Sequence, residues 1–450
     1  MRSSTTSFPD FSAVDGRRLL IALSGGADSV ALTSMLAEVR HAHHLTLFAA
    51  HLDHGIRPES AVDAAFCRAL CEKLSIPFLS RRVDVPALSR SRGAGLESLA
   101  REVRYQWLRD CLRETGSDFI ALAHHLDDQA ETVLMHLARG AGPEGICGMR
   151  TFSGDLYRPL LNLRKAELIE YLRDKGLGWR EDSTNAVADN PRNGLRLHAI
   201  PEMEKCYPQF ARAAARYALS AQIESDFLDE LTRQYLDLHR CVTPLCAWLD
   251  LSDPPPRAVL RRALRSVFQK QTIVWDRLNA LEALCAASRG RLDLGGEFIA
   301  ERAGHRLYVV PKHPGTIPSA QLSLNGETLF TPLCKIIAAP SAPVPIRDDP
   351  ARQVLNARAL RGAVVRTRRE GDRIRPLGGG DKLLSDYFID KKIDRPLRDL
   401  IPLIAVGSRV HWVCGLGISQ EASVHPGDEA VMLQCKHALP FSRGEKTSFR

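Results

Sequence analysis

The chain has 450 residues, of which 44% are hydrophobic and 25% charged, which is typical of a globular protein and predicts about two to four domains. The net charge of +8 favours a polyanionic partner, and the 11 scattered cysteines without a CxxC pair indicate reduced thiols rather than a disulfide framework or zinc site. The N-terminus lacks the apolar run of a signal peptide and no segment is long enough to span a bilayer, so we expect a cytoplasmic protein without membrane contact.

Strand-like and helix-like segments alternate from residue 17 to about residue 180. Strands are predicted over Arg18–Leu23, Leu45–Asp53, Pro77–Val83 and Asp118–His124, and helices over Ser29–Val39, Ala61–Leu74, Leu96–Thr115 and Asp127–Arg139. This order predicts an α/β domain with a mostly parallel sheet covered on both faces. Ligands of such sheets bind beyond the carboxyl ends of the strands, where SGG, HLDHG and HHLDD occur here.

The rest of the chain differs in pattern. Helical periodicity without a strand signal extends over Phe210–Leu238 and Pro256–Ser288, and Arg291–Pro311 alternates like a β-hairpin. The sequence therefore predicts a mainly helical domain and then a small α/β domain. The expected boundaries are residues 1–205 for the catalytic domain, 206–312 for the helical domain with its hairpin, and 313–450 for a connector and a basic C-terminal domain.

The segment Ser24–Ser29 (SGGADS) lies between a predicted strand and a predicted helix. Gly25 and Gly26 allow the backbone to approach a ligand closely, and the helix N-terminus attracts anions. The loop lacks the lysine of a Walker A motif. Asp28 suits a phosphate site only if a cation such as Mg²⁺ accompanies the nucleotide. The alternative is a glycine turn that merely caps a helix.

Two further segments carry polar side chains near this predicted loop. His51–Arg57 (HLDHGIR) has two histidines at i,i+3, which allows a metal site, although side chains at the end of a strand need not converge. On the predicted helix Leu96–Thr115, Arg101 and Arg104 share one face. Glu97 can pair with Arg101, which makes Arg104 the better candidate for a phosphate contact, but spacing alone does not decide this.

The segment His124–Thr132 (HHLDDQAET) places Asp128 and Glu131 on one helix face, with Asp127 as the predicted helix cap. Two carboxylates facing a phosphate loop can bind Mg²⁺, accept a proton or hold a cationic substrate. The alternative is that these acids only stabilise the helix N-terminus.

Residues 361–400 hold 11 Arg or Lys and 7 Asp or Glu, a local net charge of +4. Basic residues at strand and helix spacing favour contacts with a nucleic-acid backbone, and the alternative is a solvated surface of mixed charge. The candidates are Arg366, Arg368, Arg373, Arg375, Lys382, Lys391 and Arg395.

These segments together resemble the tRNA(Ile)-lysidine synthases, members of the ATP pyrophosphatase (PP-loop) family. The resemblance is carried by SGGADS, HLDHGIR, GLESLAREVRY, ALAHHLDDQAET, ARGAGPEGICGM, DLYRPLL, WREDSTN and NPRNGLR, the last of which contains the basic residues Arg192 and Arg196. It implies an adenine nucleotide alpha-hydrolase-like fold and a C-terminal domain that contacts the tRNA acceptor stem. The ATP-binding residues that it implies are Ser24, Gly25, Gly26, Ala27, Asp28, Ser29, His51 and Arg57.

The resemblance also implies a reaction. The family uses ATP and Mg²⁺ to adenylate the wobble cytidine of isoleucine tRNA with a CAU anticodon, and L-lysine then displaces AMP from C2. The lysidine formed changes the codon and amino-acid specificity from methionine to isoleucine. Asp128 and Glu131 are expected to hold lysine or take its proton, with Mg²⁺ at Asp28. The implied catalytic residues are Asp28, Arg104, His124, Asp128, Glu131 and Arg196.

Three other functions are alternatives to this one. A tRNA thiolase would need paired cysteines, and a small-molecule ligase would not need the basic C-terminal region. A tRNA-binding module with a relic nucleotide site would release no pyrophosphate. A homodimer is left open, as is the effect of the glycine-rich insertion at residues 378–381.

Overall fold

The computed structural model describes residues 8–55, 60–93, 95–180, 191–243, 246–267, 275–313, 319–331 and 334–436. The chain divides into two compact units, Met1–Phe227 and Leu228–Arg450, each of which is described by itself. The three domain boundaries expected from the sequence remain predictions. Within the described ranges, none of the helices has the length and apolar character required to cross a membrane.

The first unit alternates strands and helices along most of its length. Its elements are β1 (Arg18–Ala22), α1 (Ala27–Val39), β2 (Thr46–Asp53), α2 (Ser60–Lys73), β3 (Phe78–Arg82), α3 (Val85–Arg92), α4 (Leu96–Thr115), β4 (Phe119–Ala121), α5 (Leu126–Ala138), α6 (Pro143–Ile146), β5 (Phe152–Ser153), β6 (Leu156–Tyr157), α7 (Lys165–Asp174), α8 (Pro191–Gly194), a π-helical turn (Leu195–Ala199) and α9 (Ile200–Cys206). Helix α10 (Phe210–His239) begins in the first unit and ends in the second.

One six-stranded sheet organises this unit, with the order β3-β2-β1-β4-β6-β5. All neighbours pair in parallel except β5 and β6, which are antiparallel. Leu19, Leu20 and Ile21 of β1 are fully buried, as expected for a central strand with helices on both faces. The predicted parallel α/β sheet is therefore confirmed, and the carboxyl ends of β1, β2, β4 and β6 lie along one edge.

The described residues of the second unit form three sheets. Strands β7 (Arg240–Val242), β8 (Ala247–Asp250), β9 (Arg289–Asp293), β10 (Phe298–Ala303) and β11 (Arg306–Pro311) form the first, in the order β7-β8-β11-β10-β9. The predicted hairpin is confirmed as β10 and β11. The helical segment predicted over Pro256–Ser288 consists of α11 (Arg257–Val267) and α12 (Trp275–Ala286), and the residues between these helices lie outside the described ranges.

The C-terminal part of this unit is built from short strands. They are β12 (Ala320–Gln321), β13 (Gly326–Thr331), β14 (Cys334–Ser341), β15 (Arg352–Asn356), β16 (Val364–Arg366), β17 (Arg373–Ile374), β18 (Lys382–Leu383), β19 (Leu403–Val406), β20 (Arg409–Val413), β21 (Gly417–Ile418) and β22 (Ala430–Lys436), with helices α13 (Leu384–Asp390) and α14 (Arg395–Arg398). One sheet runs β12-β16-β19-β20-β17-β18 with β21 beside β20, and the other runs β13-β14-β22-β15. The predicted small α/β region is thus present.

Candidate active site

The loop between β1 and α1 has a backbone conformation that requires glycine and an uncapped helix N-terminus. Gly25 has a φ of +90°, and a Cβ at this position would lie 3.3 Å from Sγ of Cys67, so only glycine fits without strain. Gly26 is the N-cap of α1 and provides no side-chain cap, which leaves the first helical N–H groups available. Ser29 accepts a hydrogen bond from the N–H of Ser24 at 3.2 Å and donates to the carbonyl of Gly26 at 3.0 Å. These bonds hold the loop in its curved conformation.

Asp28, in the first turn of α1, faces the start of α5. Its Oδ2 lies 3.6 Å from Nε2 of His125 and 3.9 Å from Nζ of Lys165. Its Oδ1 is buried and has no hydrogen-bond partner among the described residues. A buried carboxylate oxygen without a donor suits a cation, so Asp28 fits a Mg²⁺ ion held chiefly by nucleotide phosphates. In the described part of the chain, no group of three or more His, Cys, Asp or Glu side chains could hold a metal unaided.

Helix α5 begins one residue earlier than expected, and its N-cap is His125. Nδ1 of His125 accepts from the N–H of Asp128 at 3.4 Å, and Oδ2 of Asp128 accepts from the N–H of His125 at 3.1 Å. This is a capping box with an imidazole in place of the usual hydroxyl. The prediction that Asp127 caps α5 is wrong, because its Oδ2 instead accepts from the N–H of Lys165, the first residue of α7, at 2.8 Å.

Two arginines hold the predicted pair of carboxylates. Nε of Arg192 lies 2.7 Å from Oε2 of Glu131, and Nε of Arg196 lies 2.6 Å from Oε1. Nη2 of Arg192 and of Arg196 also donate to Oδ1 of Asp128, at 3.1 Å and 3.0 Å. Glu131 is buried, and spacing of i,i+4 brings the two arginines to one side of their helical segment. We call these four residues the arginine–carboxylate cluster.

The cluster unites residues that the sequence suggested separately. Asp128, Glu131 and Arg196 are predicted site residues, whereas Arg192 is only a basic residue of the segment NPRNGLR. Acids at i,i+3 on one helix and guanidinium groups at i,i+4 on another are complementary, and this pattern could have indicated the pairing. The two carboxylates therefore do not face an empty site: each already accepts hydrogen bonds from two guanidinium groups.

The adjacent histidines His124 and His125 have opposite protonation preferences. Burial lowers the pKa of His124 to about 4, opposed by the charge of Asp128 and reinforced by nearby guanidinium groups. Burial also disfavours the charged form of His125, but the adjacent carboxylates of Asp28 and Asp128 outweigh this and raise its pKa above the usual value. Burial therefore favours the neutral form of the His124 imidazole, and its Nδ1 is buried without a hydrogen-bond partner in the described part of the chain.

His51 lies behind the glycine loop. Its ring is buried, and Nδ1 lies 2.9 Å from the carbonyl oxygen of Leu23, immediately before the loop. Nε2 is also buried and has no hydrogen-bond partner among the residues that the structure describes. This position supports the loop, and the predicted nucleotide contact of His51 remains a prediction. Arg57, predicted to bind ATP, lies outside the described residues.

Two arginines near His124 have no carboxylate partner within the described ranges. Nε of Arg104, on α4, is buried without a hydrogen-bond partner there, and its Cζ lies 5.4 Å from the centre of the Tyr105 ring. Arg158 directly follows β6 and is 8% exposed; its Nη1 donates to the carbonyl of Arg150 at 3.0 Å, whereas its Nε has no partner among the described residues. The sequence analysis includes Arg158 only within the segment DLYRPLL and does not select it as a site residue, although its place after a strand of the sheet was a usable signal.

The structure corrects one member of the predicted tRNA-binding surface in the second unit. Arg366 is 2% exposed, and its two Nη atoms each donate to a carboxylate oxygen of Asp372 at 2.7 Å. Nη2 also donates to the carbonyl of Gly407 at 2.8 Å. A guanidinium group enclosed in this way cannot reach a phosphate. The predicted tRNA contact of Arg366 is therefore wrong, and the residue instead ties β16 to the loop that follows it.

The other predicted basic residues of this region fall into two sets. Three have acidic partners: Arg368 pairs with Asp399 at 2.6 Å, Arg373 with Asp381 at 2.7 Å, and Lys382 with Asp390 at 2.8 Å. Asp381 ends the glycine-rich insertion and also pairs with Arg409. The remaining three are exposed, and they are Arg375, Lys391 and Arg395.

Comparison with known families covers both units. A family model described as a PP-loop domain matches residues 3–203, and one described as a TilS substrate C-terminal domain matches residues 363–435. The first match contains the glycine loop and the arginine–carboxylate cluster. The second contains the basic residues of the C-terminal region.

Individual relatives extend over nearly the whole chain. A protein of Thermus thermophilus named tRNA(Ile)-lysidine synthase is 37% identical over 433 residues, which cover 95% of this chain and 74% of the relative. A protein of the same name from Geobacter sulfurreducens is 33% identical and covers 92% of both chains. Among solved structures, the U34-tRNA thiolase NcsA from Methanococcus maripaludis has a TM-score of 0.40 at 19% identity, covering 48% of this chain and 76% of its own. That similarity is too low to indicate function.

Proposed function

The chain belongs to the family of tRNA(Ile)-lysidine synthases, ATP-using ligases of the PP-loop class, and we propose that its first unit catalyses both half-reactions of lysidine formation on isoleucine tRNA. The observation that carries this proposal is the meeting of two elements at one edge of the sheet. Asp28 of the glycine loop lies 3.6 Å from His125, which caps the helix that presents Asp128 and Glu131. A nucleotide on the loop would therefore lie beside the arginine–carboxylate cluster.

In the first half-reaction, the loop Ser24–Ser29 binds the phosphates of ATP. Its backbone N–H groups and the N-terminus of α1 supply partial positive charge without a lysine. Asp28 would hold Mg²⁺, which offsets phosphate charge when bound. The O2 atom of the wobble cytidine attacks the α-phosphorus, the bond from that phosphorus to the bridging oxygen breaks, and pyrophosphate leaves. Arg104, which has no acidic partner among the described residues, stabilises the developing phosphate charge.

In the second half-reaction, the side-chain amine of lysine attacks C2 of the adenylated base, and the bond between C2 and O2 breaks as AMP leaves. The attacking amine must lose a proton. Asp128 suits the holding of a cation better than the acceptance of a proton: burial favours its neutral form, but the charges of His125 and Arg192 outweigh burial and lower its pKa. Nδ1 of His124 has no hydrogen-bond partner among the described residues, and burial keeps this imidazole neutral, so we assign to His124 the acceptance of a hydrogen bond from the attacking amine.

The arginine–carboxylate cluster requires an exchange of partners when lysine arrives. Asp128 and Glu131 already bind two guanidinium groups, so an incoming ammonium group replaces one of them or adds to the cluster. We assign this movement to Arg196, because a guanidinium group released next to the nucleotide can pair with its phosphates. In the second unit, the exposed residues Arg375, Lys391 and Arg395 are the proposed contacts with the tRNA backbone.

The proposal is tested by measuring pyrophosphate release from ATP with isoleucine tRNA present and absent, and with lysine present and absent. Release that needs tRNA but not lysine is expected, because adenylation of the base precedes the attack by lysine. Asp128→Ala is expected to retain part of this release and to lose lysine transfer. Release without tRNA would support a small-molecule ligase instead, and no release would support a binding module.

A further inference from the structure

Arg158 is a buried cation for which the described residues supply no acid. Its side chain is only 8% exposed; Nη1 donates to the carbonyl of Arg150, and Tyr105 lies beside the guanidinium group. Nε has no hydrogen-bond partner within the described ranges. An unpaired buried charge costs free energy that an anionic ligand would remove. A bound anion would therefore supply the partner that this group lacks among the described residues.

The topology of the sheet places Arg158 at the same edge as the candidate active site, on the far side of His124 from the glycine loop. Strand β6 pairs in parallel with β4, and the N–H of Leu122 donates to the carbonyl of Tyr157 at 2.8 Å. Arg158 therefore leaves the sheet at the same edge as His124. In the strand order β1-β4-β6, Arg158 is two strands from the glycine loop, a lateral separation of roughly 10 Å at roughly 4.8 Å per strand. His124 lies between Arg158 and the proposed phosphate site.

The chemistry of a guanidinium group narrows the choice of anion. Arginine binds carboxylate and phosphate groups through two parallel hydrogen bonds, and its Nε–H is one of the usual donors. The lysine substrate of the proposed reaction carries a carboxylate at the end opposite to the attacking amine. With the amine at His124, on the phosphate-facing side, the carboxylate would extend away from the phosphates. Burial of Arg158 suits a small anion better than a polynucleotide backbone.

We propose that Arg158 binds the α-carboxylate of the amino-acid substrate and thereby selects a free amino acid over an amine or amide. This inference rests on the proposed function, since it requires that lysine is the second substrate. It predicts an energetic coupling between two groups. The guanidinium group of Arg158 should raise kcat/KM only for a substrate with a carboxylate, and the carboxylate of lysine should raise kcat/KM only when Arg158 is present.

The experiment compares L-lysine with L-lysinamide, which lacks the negative charge, in wild type and Arg158→Gln. We expect wild type to prefer lysine over lysinamide by at least about tenfold in kcat/KM, the effect of one charge-assisted hydrogen bond. In Arg158→Gln, kcat/KM for lysine should fall by a similar factor, kcat/KM for lysinamide should stay nearly unchanged, and KM for ATP and tRNA should not move. Arg109→Gln is the matched control, because Arg109 is exposed and pairs with Asp155 just before β6.

Several outcomes would overturn the inference. Equal kcat/KM for lysinamide and lysine in wild type would contradict the inference. This comparison needs no variant, so it holds even if Arg158→Gln fails to fold. A rise in KM for ATP or tRNA in Arg158→Gln, with kcat/KM for lysine unchanged, would show that Arg158 binds a phosphate group rather than the lysine carboxylate.

A second variant, Arg158→Lys, keeps the positive charge, and we expect it to restore part of the preference for lysine over lysinamide. If wild type transfers no lysine at all, the proposed function fails instead, so the two failures are distinguishable.

Discussion

Nε of Arg196 lies 2.6 Å from Oε1 of Glu131, a carboxylate whose side chain is only 1% exposed. Arg192 holds the other oxygen of the same carboxylate at 2.7 Å. Glu131 thus joins α5 to the helical segment of residues 191–206, and it sets the positions of two guanidinium groups at the edge of the site. A substitution at Glu131 should consequently affect both folding and chemistry.

We expect Glu131→Gln to lower the free energy of unfolding of the first unit by roughly 2–3 kcal/mol. This is less than the cost of breaking a fully buried pair, because the guanidinium groups are 30% and 29% exposed. Lysidine formation should fall on the order of a hundredfold or more. The control is Glu102→Gln, whose carboxylate is 69% exposed and should contribute little. Wild-type stability together with wild-type transfer in Glu131→Gln would refute the role of the cluster.

We expect Gly25→Ala to abolish ATP binding measured by calorimetry, because the added Cβ meets Sγ of Cys67 and the residue must keep a φ of +90°. The control is Gly93→Ala, which introduces backbone strain at a glycine outside the proposed nucleotide site. Gly93 also has a positive φ, of +62°, but a Cβ there has no neighbour within 4 Å among the described residues. That variant should lose about 1 kcal/mol of stability and retain ATP affinity. Equal ATP affinity in the two variants would exclude the loop as the nucleotide site.

The sequence predicted the framework of the site well because its signals are local. A glycine pair after a strand, an apolar run buried on both faces and a helix of 20 residues are each determined by neighbouring residues, and α4 matches its predicted bounds. The strand ends that meet at one edge follow from the parallel order. Strands β5 and β6 were missed because two residues cannot show an alternating pattern.

The contacts that the sequence could not predict depend on the folded environment of each side chain. Arg366 has the alternating spacing of a surface strand, yet it pairs with Asp372 in the interior, and only the fold decides between these environments. The same holds for Arg192 and Glu131, which are separated by 61 residues. Imidazole is an unusual N-cap, so propensity favoured Asp127 over His125.

The pKa of His124 predicts a change of stability with pH. Its value of about 4 in the folded protein lies below the ordinary 6.5, so the unfolded chain takes up the proton more readily. The contribution of this group is therefore full above pH 6.5 and decreases as the pH falls from 6.5 towards 4, by up to about 3 kcal/mol. We expect the stability of wild type to fall more than that of His124→Asn over this range, measured by hydrogen exchange of α5. An equal fall in stability with pH in wild type and His124→Asn would contradict the lowered pKa of His124.

The exposed basic residues of the second unit should set the salt dependence of tRNA binding. We expect Arg375→Ala and Arg395→Ala each to weaken binding and to lower the slope of log Kd against log salt by about 1, as loss of one phosphate contact requires. Arg358→Ala, an exposed arginine outside residues 363–435, should leave the slope unchanged. Equal slopes in all three variants would place the tRNA contact elsewhere.

The central claim is that ATP on the glycine loop activates a tRNA base for attack by lysine held at the neighbouring cluster. It is tested most directly by nucleoside analysis, by mass spectrometry, of isoleucine tRNA with a CAU anticodon after incubation with the protein, ATP and isotope-labelled lysine. We predict labelled lysidine in place of the wobble cytidine, with one AMP and one pyrophosphate per modified nucleoside, and none with Gly25→Ala. Unmodified cytidine despite pyrophosphate release, or a label elsewhere in the tRNA, would contradict it.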